Sequence, residues 1–293
     1  MSYGETEAVR GIDLEVMPGE IFAFLGPNGA GKTTTVEIME GYRRRTGGEV
    51  AVLGEDPQRA GRAWRERIGI VLQSGRPDPY LTVRESLALY AGYYRAPRPI
   101  DEVIALVGLE GKADERARRL SGGQQRRLDV GMALVGDPEL LFLDEPTTGF
   151  DPSARRQAWD VIAGLRDLGK TVFLTTHYMD EAQHLADRVA ILRDGRIVAQ
   201  GRTEQLGAEI GHRTVIGFLL GDGLSLEDVR GAVEAAVTAS GNQVEIETDR
   251  PQRDLYRLLE LAERQGAELA ELEVRRPSLE DVFLDLTRGE EPA

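Results

Sequence analysis

The sequence predicts an α/β fold with a buried parallel sheet over roughly its first 200 residues, followed by a small α+β domain. The first observation is that short apolar runs alternate with amphipathic stretches, as strands and helices do in such folds. The second is that the runs are apolar throughout, which is typical of strands covered on both faces. The third is a change near residue 206, where the chain becomes strongly acidic.

The apolar runs predict five strands of one sheet, at residues 21–25, 68–72, 140–143, 172–175 and 189–192. A helix is predicted at 32–40, a short loop after the first strand. Between about residues 77 and 137 the strand signal fades, and helices are predicted at 83–94, 100–107 and 124–135. In the last of these, Leu128, Met132 and Val135 share one face. We interpret this stretch as a helical subdomain inserted into a domain of residues 1–205.

Residues 206–293 are predicted to form an accessory domain that contributes to dimerisation or regulation. They contain 19 acidic residues and 9 arginines, a net charge of −10 out of −14 for the whole chain. Alternating patterns predict strands at 214–220, 244–248 and 269–274, and helices at 226–239, 252–265 and 278–286.

Composition excludes several classes of function. The 293 residues include no cysteine, which excludes disulfides, thiolate metal sites and a cysteine nucleophile. The net charge of −14 argues against nucleic acid as a partner, because phosphate binding needs clustered Lys and Arg. No window approaches the ~20 apolar residues that span a bilayer. If the protein acts at a membrane, we expect another polypeptide to supply the spanning part.

The first chemical motif is a phosphate-binding loop at residues 26–33, which match the pattern G-x-x-x-x-G-K-[ST] between a predicted strand and a predicted helix. Glycines let the backbone wrap a polyphosphate, and the amides of the helix N-terminus attract the anion. Lys32 is expected to reach the β- and γ-phosphates, and the Thr33 hydroxyl to bind Mg²⁺. The predicted ATP-binding residues of the loop are Gly26, Pro27, Asn28, Gly29, Ala30, Gly31, Lys32, Thr33 and Thr34.

The second motif is a pair of carboxylates at the end of a strand. Asp144 closes the apolar run 140–143 and is expected to bind Mg²⁺, directly or through water. Successive side chains at a strand end point apart, so Glu145 can face the γ-phosphate and polarise the attacking water. A solvated acidic pair at a strand end is the alternative, and the loop upstream weighs against it.

The third motif is Ser121, Gly122, Gly123 and Gln124, preceded by a leucine. Ser121 is a good helix N-cap, and the two glycines expose backbone amides at a helix start, which makes a second anion site. The same residues fit an ordinary capped helix. Spacing alone does not decide between the two interpretations.

Together, residues 26–33, 120–126 and 143–146 with His177 resemble the nucleotide-binding subunit of an ATP-binding cassette (ABC) transporter, over about residues 3–205. The resemblance implies a P-loop NTPase fold that hydrolyses ATP with Mg²⁺. It implies that Gln73 meets the metal and the water, that His177 contacts the γ-phosphate, and that Tyr3 stacks on adenine. It also implies that Asp151 links two sites across a dimer.

In the family's head-to-tail homodimer, the third motif of one subunit contacts the ATP bound by the other. Ser121–Gln124 of one subunit would close over ATP bound by Lys32 of the other, so that ATP favours the closed dimer. The resemblance further implies a polytopic membrane permease as partner and a peripheral location on the cytoplasmic face of the membrane. One departure concerns Tyr3: family members usually carry a strand ahead of this aromatic residue, and only Met1 and Ser2 precede it here.

Residues 276–286, together with residues 176–182, resemble ABC-2-type export ATPases, including the daunorubicin-resistance kind. The main hypothesis is therefore an ATP-hydrolysing subunit of an exporter, with drug or antibiotic efflux as one role. A soluble ABC-type ATPase acting in translation or repair is the alternative, although such proteins usually carry two cassettes. A third hypothesis is a phosphotransferase. Ser121–Gly123 and Glu145 argue against it. In the tail, Ser278 also fits a simple cap of an amphipathic helix.

Overall fold

The computed structural model describes residues 1–3, 6–73, 75–203, 206, 213–221, 223–275, 279, 281 and 283, with the backbone alone at residues 2, 3 and 6. The chain forms two compact units, residues 1–203 and 204–293. Within the described residues, no helix is both long enough and apolar enough to cross a bilayer.

The larger unit is built on a sheet whose order, in the described part of the chain, is β4-β5-β6-β3-β7-β8. Its strands are β3 (Ile21–Leu25), β4 (Ile68–Val71), β5 (Leu140–Asp144), β6 (Thr171–Thr176), β7 (Arg188–Arg193) and β8 (Arg196–Arg202). The first five run parallel, and β8 pairs antiparallel with β7. The carboxyl ends of β4, β5, β6 and β3 therefore meet at one edge, where ligands bind in open α/β sheets.

Helices connect these strands in the order expected of an α/β protein. They are α1 (Lys32–Met39), α2 (Arg62–Arg65), α3 (Val83–Ala91), α4 (Ile100–Leu106), α5 (Gly122–Leu134), α6 (Pro152–Asp167) and α7 (Met179–Leu185). Short 3₁₀ turns lie at Glu110–Lys112 and Ala117–Arg119, and two-residue strands β1 (Ser2–Tyr3) and β2 (Thr6–Glu7) pair near the N-terminus.

Aromatic side chains from three strands hold the sheet's core together. Phe173 on β6 lies 5.7 Å from Phe22, 5.6 Å from Phe24 and 5.8 Å from Phe142, measured between ring centroids. All four are at most 2% exposed. Such ring pairs add packing energy beyond the area they bury, so this cluster fixes the strands that carry the site.

The smaller unit contains an antiparallel sheet of order β10-β11-β9-β12 within its described residues. The strands are β9 (Thr214–Leu219), β10 (Ala236–Ser240), β11 (Gln243–Thr248) and β12 (Ala270–Arg275), with helices Leu226–Ala232 and Pro251–Gln265. Ile216, Phe218, Val244, Ile246 and Leu258 form its core.

One predicted element is wrong: residues 226–239 do not form a single helix. The helix ends at Ala232, and residues 236–240 form β10, which pairs antiparallel with β11. Alanine-rich sequence favours a helix, but the ladder from Ala236↔Glu247 to Ser240↔Gln243 satisfies this backbone as a strand. The predicted helix at 278–286 lies mostly outside the described residues.

Candidate functional site

The loop between β3 and α1 contains two glycines that leave no room for a side chain. A Cβ on Gly26 would lie 2.4 Å from the carbonyl oxygen of Leu192, and a Cβ on Gly31 would lie 2.3 Å from that of Ala8. Gly31 also has a φ of 105°, which other residues rarely adopt. The sequence pattern is therefore required by close backbone packing, and the loop presents its amides beside the N-terminus of α1.

Lys32 is the first residue of α1 and is 5% exposed. Its Nζ donates to the carbonyl oxygens of Gly26 at 2.8 Å and Pro27 at 3.2 Å, and lies 3.5 Å from Oε1 of Glu145. Burial lowers the pKa of Lys32, while Glu145 opposes that shift. The ammonium group is thus held beneath the loop by weak acceptors that a polyphosphate can replace.

Several side chains converge on the carboxylate of Glu145, which is 8% exposed. Oε2 accepts hydrogen bonds from Nε2 of Gln73 at 2.9 Å and from Oγ1 of Thr148 at 3.2 Å. Oε1 faces Nδ1 of His177 at 3.2 Å, out of line for a hydrogen bond, and also faces Lys32. Burial alone would raise the pKa of Glu145, but His177 and Lys32 outweigh burial and lower it.

The backbone at Glu145 is also unusual, because its φ of 45° lies in the left-handed region. Its amide donates to the carbonyl oxygen and to Oγ1 of Thr175, both at 3.1 Å. Such strain at a non-glycine residue persists only where neighbouring contacts hold it, and it is concentrated at functional sites. Here it turns the carboxylate away from β5 toward Lys32.

The three predicted metal ligands supply hard oxygen donors. Asp144 is 7% exposed, and its carboxylate accepts a hydrogen bond from the Thr175 hydroxyl. Thr33 and Gln73 are exposed and offer a hydroxyl and an amide oxygen. Mg²⁺ usually binds through one or two carboxylates plus phosphate oxygens, so this donor set fits that ion.

The start of α5 is a capping box. Oγ of Ser121 accepts from the Gln124 amide at 3.3 Å, and Oε1 of Gln124 accepts from the Ser121 amide at 2.9 Å. A Cβ on Gly122 would meet nothing within 4 Å, whereas one on Gly123 would lie 3.0 Å from Cβ of Ala154. Packing within the chain therefore explains Gly123 but leaves Gly122 open to an external group.

The structure brings some of the predicted residues together and leaves others apart. Lys32, Gln73 and His177 meet around the carboxylate of Glu145. Asp151 instead caps α6, accepting from the amides at positions 153 and 154 at 2.9 Å each. The side chain of Tyr3 lies outside the described residues, so its predicted contact with adenine stays a prediction.

Sequence reasoning assigned no role to Arg126, although it follows the third motif by two residues and falls within the segment 120–126. It is 8% exposed and donates to three backbone carbonyls, those of Leu72, Asp144 and Pro146. These carbonyls flank Gln73 and Glu145, so one guanidinium ties the start of α5 to both strand ends. A buried arginine with several donors is suited to this task, but no sequence pattern reveals the carbonyls it meets.

A glycine loop, its buried lysine and a strand-end glutamate on one edge of a parallel sheet define a P-loop nucleotide-binding protein. A sequence profile described as "ABC transporter" matches residues 9–148, and one described as "ABC transporter domain-containing protein-like, C-terminal domain" matches residues 214–278. Nod factor export ATP-binding protein I of Rhizobium etli is 39% identical over 294 residues, which cover 99% of this chain and 91% of that protein. The chain belongs to the ABC transporter family as an ATP-binding subunit, and it is an ATPase.

Other relatives agree with this assignment. Daunorubicin resistance ATP-binding protein DrrA3 of Streptomyces coeruleorubidus is 38% identical over 299 residues, covering 97% of this chain and 92% of that protein. A dimeric ATP-binding cassette in a post-hydrolysis state, bound to ADP and Pi, matches 69% of this chain and 94% of its own, with 27% identity and a TM-score of 0.61. The predicted family, fold class and ATPase activity are confirmed.

Proposed function

We propose that this chain is the ATP-hydrolysing subunit of an export system and works at the cytoplasmic face of the membrane. The observation that carries the proposal is the convergence of Lys32, Gln73 and His177 on the carboxylate of Glu145. Relatives matched over almost the whole chain serve Nod factor export and daunorubicin resistance. They favour export over the soluble alternative, and drug or antibiotic efflux is the transport role we propose.

Glu145 is proposed as the general base. Its lowered pKa keeps it charged at neutral pH, and the hydrogen bonds from Gln73 and Thr148 hold Oε2 in place. Oε1 then remains to take the proton of a water that attacks the γ-phosphorus. Lys32 would exchange the carbonyls of Gly26 and Pro27 for β- and γ-phosphate oxygens, and His177 would contact the γ-phosphate beside Glu145.

Mg²⁺ is proposed to bind Thr33, Gln73 and Asp144 together with phosphate oxygens. The support is the set of oxygen donors at the strand ends beside the loop. The ion would neutralise charge on the phosphates during transfer.

A second copy of the chain is proposed to complete each ATP site. The open space at Gly122 and the exposure of Ser121 and Gly122 at the start of α5 support an in-trans contact through Ser121–Gln124. Asp151, exposed at the start of α6, would couple the two sites. The membrane partner is proposed to be a polytopic ABC-2-type permease.

Residues 206–293 are proposed to add dimer contacts or to regulate hydrolysis. Their acidic composition and separate sheet support an independent role. Deleting them should change dimerisation, ATPase rate or transport, and a deletion that changes none of the three would reject the proposal.

Single-turnover hydrolysis by Glu145→Gln tests the proposed chemistry. The variant keeps the size of the side chain and one oxygen that can accept from Gln73 and Thr148 but removes the charge, so it should bind ATP normally and hydrolyse it about 10²–10⁴-fold more slowly. Lys32→Ala should instead weaken ATP binding itself. Hydrolysis at the wild-type rate in Glu145→Gln would remove Glu145 from its role.

A further inference from the structure

Glu181 on α7 is a buried acidic residue that has no part in the chemistry proposed above. It is 0% exposed, and its helix begins two residues after His177. Oε1 accepts a hydrogen bond from Oγ1 of Thr147 at 2.6 Å and another from Nε1 of Trp159 at 3.1 Å. Oε2 is buried and has no hydrogen-bond partner among the residues the structure describes. One oxygen therefore joins α7 both to α6 and to the chain that follows β5.

A carboxyl group is an expensive choice at this position. Burial raises the pKa of Glu181, against the hydrogen bonds from Thr147 and Trp159, and the neighbouring Asp180 adds to the rise. An apolar side chain of similar size would avoid the cost of burying a polar group in such a place. What the glutamate offers in return is an oxygen that accepts hydrogen bonds, so its role lies in the groups it holds.

The bond to Thr147 reaches the turn that carries the Glu145 carboxylate. Thr147 is fully buried and lies two residues after Glu145, whose φ of 45° is strained. The next residue, Thr148, donates from Oγ1 to Oε2 of Glu145 at 3.2 Å. A second bond, from Nε of Arg126 to the carbonyl that follows Glu145, also fixes this turn, at 3.1 Å. Strain of this kind persists only where several neighbours hold it, and Glu181 is one of them.

His177 lies on the chain segment that leads into α7. Its Nδ1 is 3.2 Å from Oε1 of Glu145 but out of line, and this nitrogen has no hydrogen-bond partner in the described part of the chain. The ring of Tyr178 packs against that of His177, with centroids 4.1 Å apart, and the guanidinium of Arg155 on α6 lies 4.4 Å from the Tyr178 centroid. The distance between imidazole and carboxylate therefore depends on what holds α7 against the turn after Glu145.

We propose that Glu181 is a positioning residue for ATP hydrolysis. Through Thr147 it holds the turn after Glu145, and through α7 it sets the distance from that turn to His177. The inference rests on the proposed function, because it takes Glu145 as the general base and His177 as a contact of the γ-phosphate. Glu181 is fully buried, so it acts through these groups and not by contact with ATP. A displacement of about 1 Å in such a pair can slow a reaction about 10²-fold.

ATPase assays and ATP titrations on the full chain test the proposal, with Glu181→Leu and Glu181→Gln as variants. Leucine has a similar size but accepts no hydrogen bond, so kcat should fall about tenfold or more while the Kd for ATP stays within about twofold. Glutamine keeps one oxygen that can accept from Thr147, so its kcat should stay within about threefold of the wild type. Rates are taken per ATP-binding chain, so a loss of folded protein does not lower them.

Variants of the two donors separate the turn from the general docking of α7. Thr147→Val removes the hydroxyl at nearly constant size and should lower kcat as Glu181→Leu does, whereas Thr147→Ser should keep it within about threefold. The double variant Thr147→Val with Glu181→Leu should be at most about twofold slower than either single variant, since both remove the same link. Trp159→Phe is the matched control: it removes the bond from α6 and should lower the melting temperature but keep kcat within about twofold.

Three results would each overturn the inference. The first is a wild-type kcat in Glu181→Leu or Thr147→Val, and the second is a pair of losses that multiply in the double variant. The third is a kcat in Trp159→Phe as low as in Glu181→Leu, which would leave Glu181 with helix docking alone. If Glu181→Leu does not fold, Thr147→Val decides. Failure of the proposed function is seen separately, as hydrolysis at the wild-type rate in Glu145→Gln.

Discussion

Arg126 offers the sharpest test of how the site is held together, through the substitution Arg126→Lys. The wild-type guanidinium donates to the carbonyls of Leu72, Asp144 and Pro146 from a buried position. Lysine keeps the charge but has no planar fork, so it leaves two of the carbonyls without a donor. Each buried group left unsatisfied costs about 1–3 kcal/mol. We expect a net loss of about 3 kcal/mol.

In a unit of this size, that loss lowers the melting temperature by roughly 6–12 °C. Because the carbonyls flank Gln73 and Glu145, we also expect kcat to fall about tenfold or more while the Kd for ATP stays within about twofold. Calorimetry and steady-state ATPase assays measure both effects.

Arg127→Lys is the matched control, because Arg127 neighbours Arg126 on α5 and donates to the carbonyls of Val107 and Gly108, away from the site. It should lose stability but keep its kcat. Equal losses of kcat in the two variants, or an unchanged kcat in Arg126→Lys, would refute the positioning role.

Two further predictions follow from the geometry. The pKa of Glu40 rises from 4.5 to about 7 on folding, so the folded state holds a proton that the unfolded state has lost, and stability should fall as pH rises from about 4.5 to about 7 and then level off. Melting curves should show Glu40→Gln more stable than the wild type by on the order of 2–3 kcal/mol at pH 8 but by less than about 1 kcal/mol at pH 5; an equal gain at both values would contradict the assignment. Gly26→Ala, which forces a Cβ against the Leu192 carbonyl, should weaken ATP binding at least about tenfold in a titration. The control Gly19→Ala lies outside the loop, has open space for a Cβ, and should cost only about 1 kcal/mol of backbone strain.

The strands that carry the site could be predicted from the sequence to within a residue or two. Their apolar runs are continuous because both faces of the sheet are covered, and Ile21–Leu25 matches its prediction at both ends. The edge strand Arg196–Arg202 was not predicted, because one face is exposed and its sequence is polar. Residues 236–240 were assigned to a helix because their alanines favour one, although they pair with the next strand, residues 243–248, across the two-residue turn at Gly241 and Asn242.

The residues of the candidate site also fall into those that a local pattern predicts and those that only tertiary structure places. The loop and the carboxylates at residues 144 and 145 follow from local pattern, because strand ends and helix starts fix where those side chains lie. The role of Arg126 could not be predicted, since it depends on burial and on which carbonyls tertiary structure brings near the guanidinium. The closeness of Gln73 and His177 to Glu145 is likewise a property of strand order rather than of sequence spacing.

The mass of Glu145→Gln in saturating ATP and Mg²⁺, measured by light scattering, tests most directly whether two copies of the chain complete each ATP site. We predict a dimer, because ATP is bound and not hydrolysed. Adding Gly122→Asp to the same chain should return it to a monomer that still binds ATP, since the new carboxylate would repel the partner's phosphates. A Glu145→Gln chain that stays monomeric with ATP bound, or a dimer that persists with Gly122→Asp, would contradict the account.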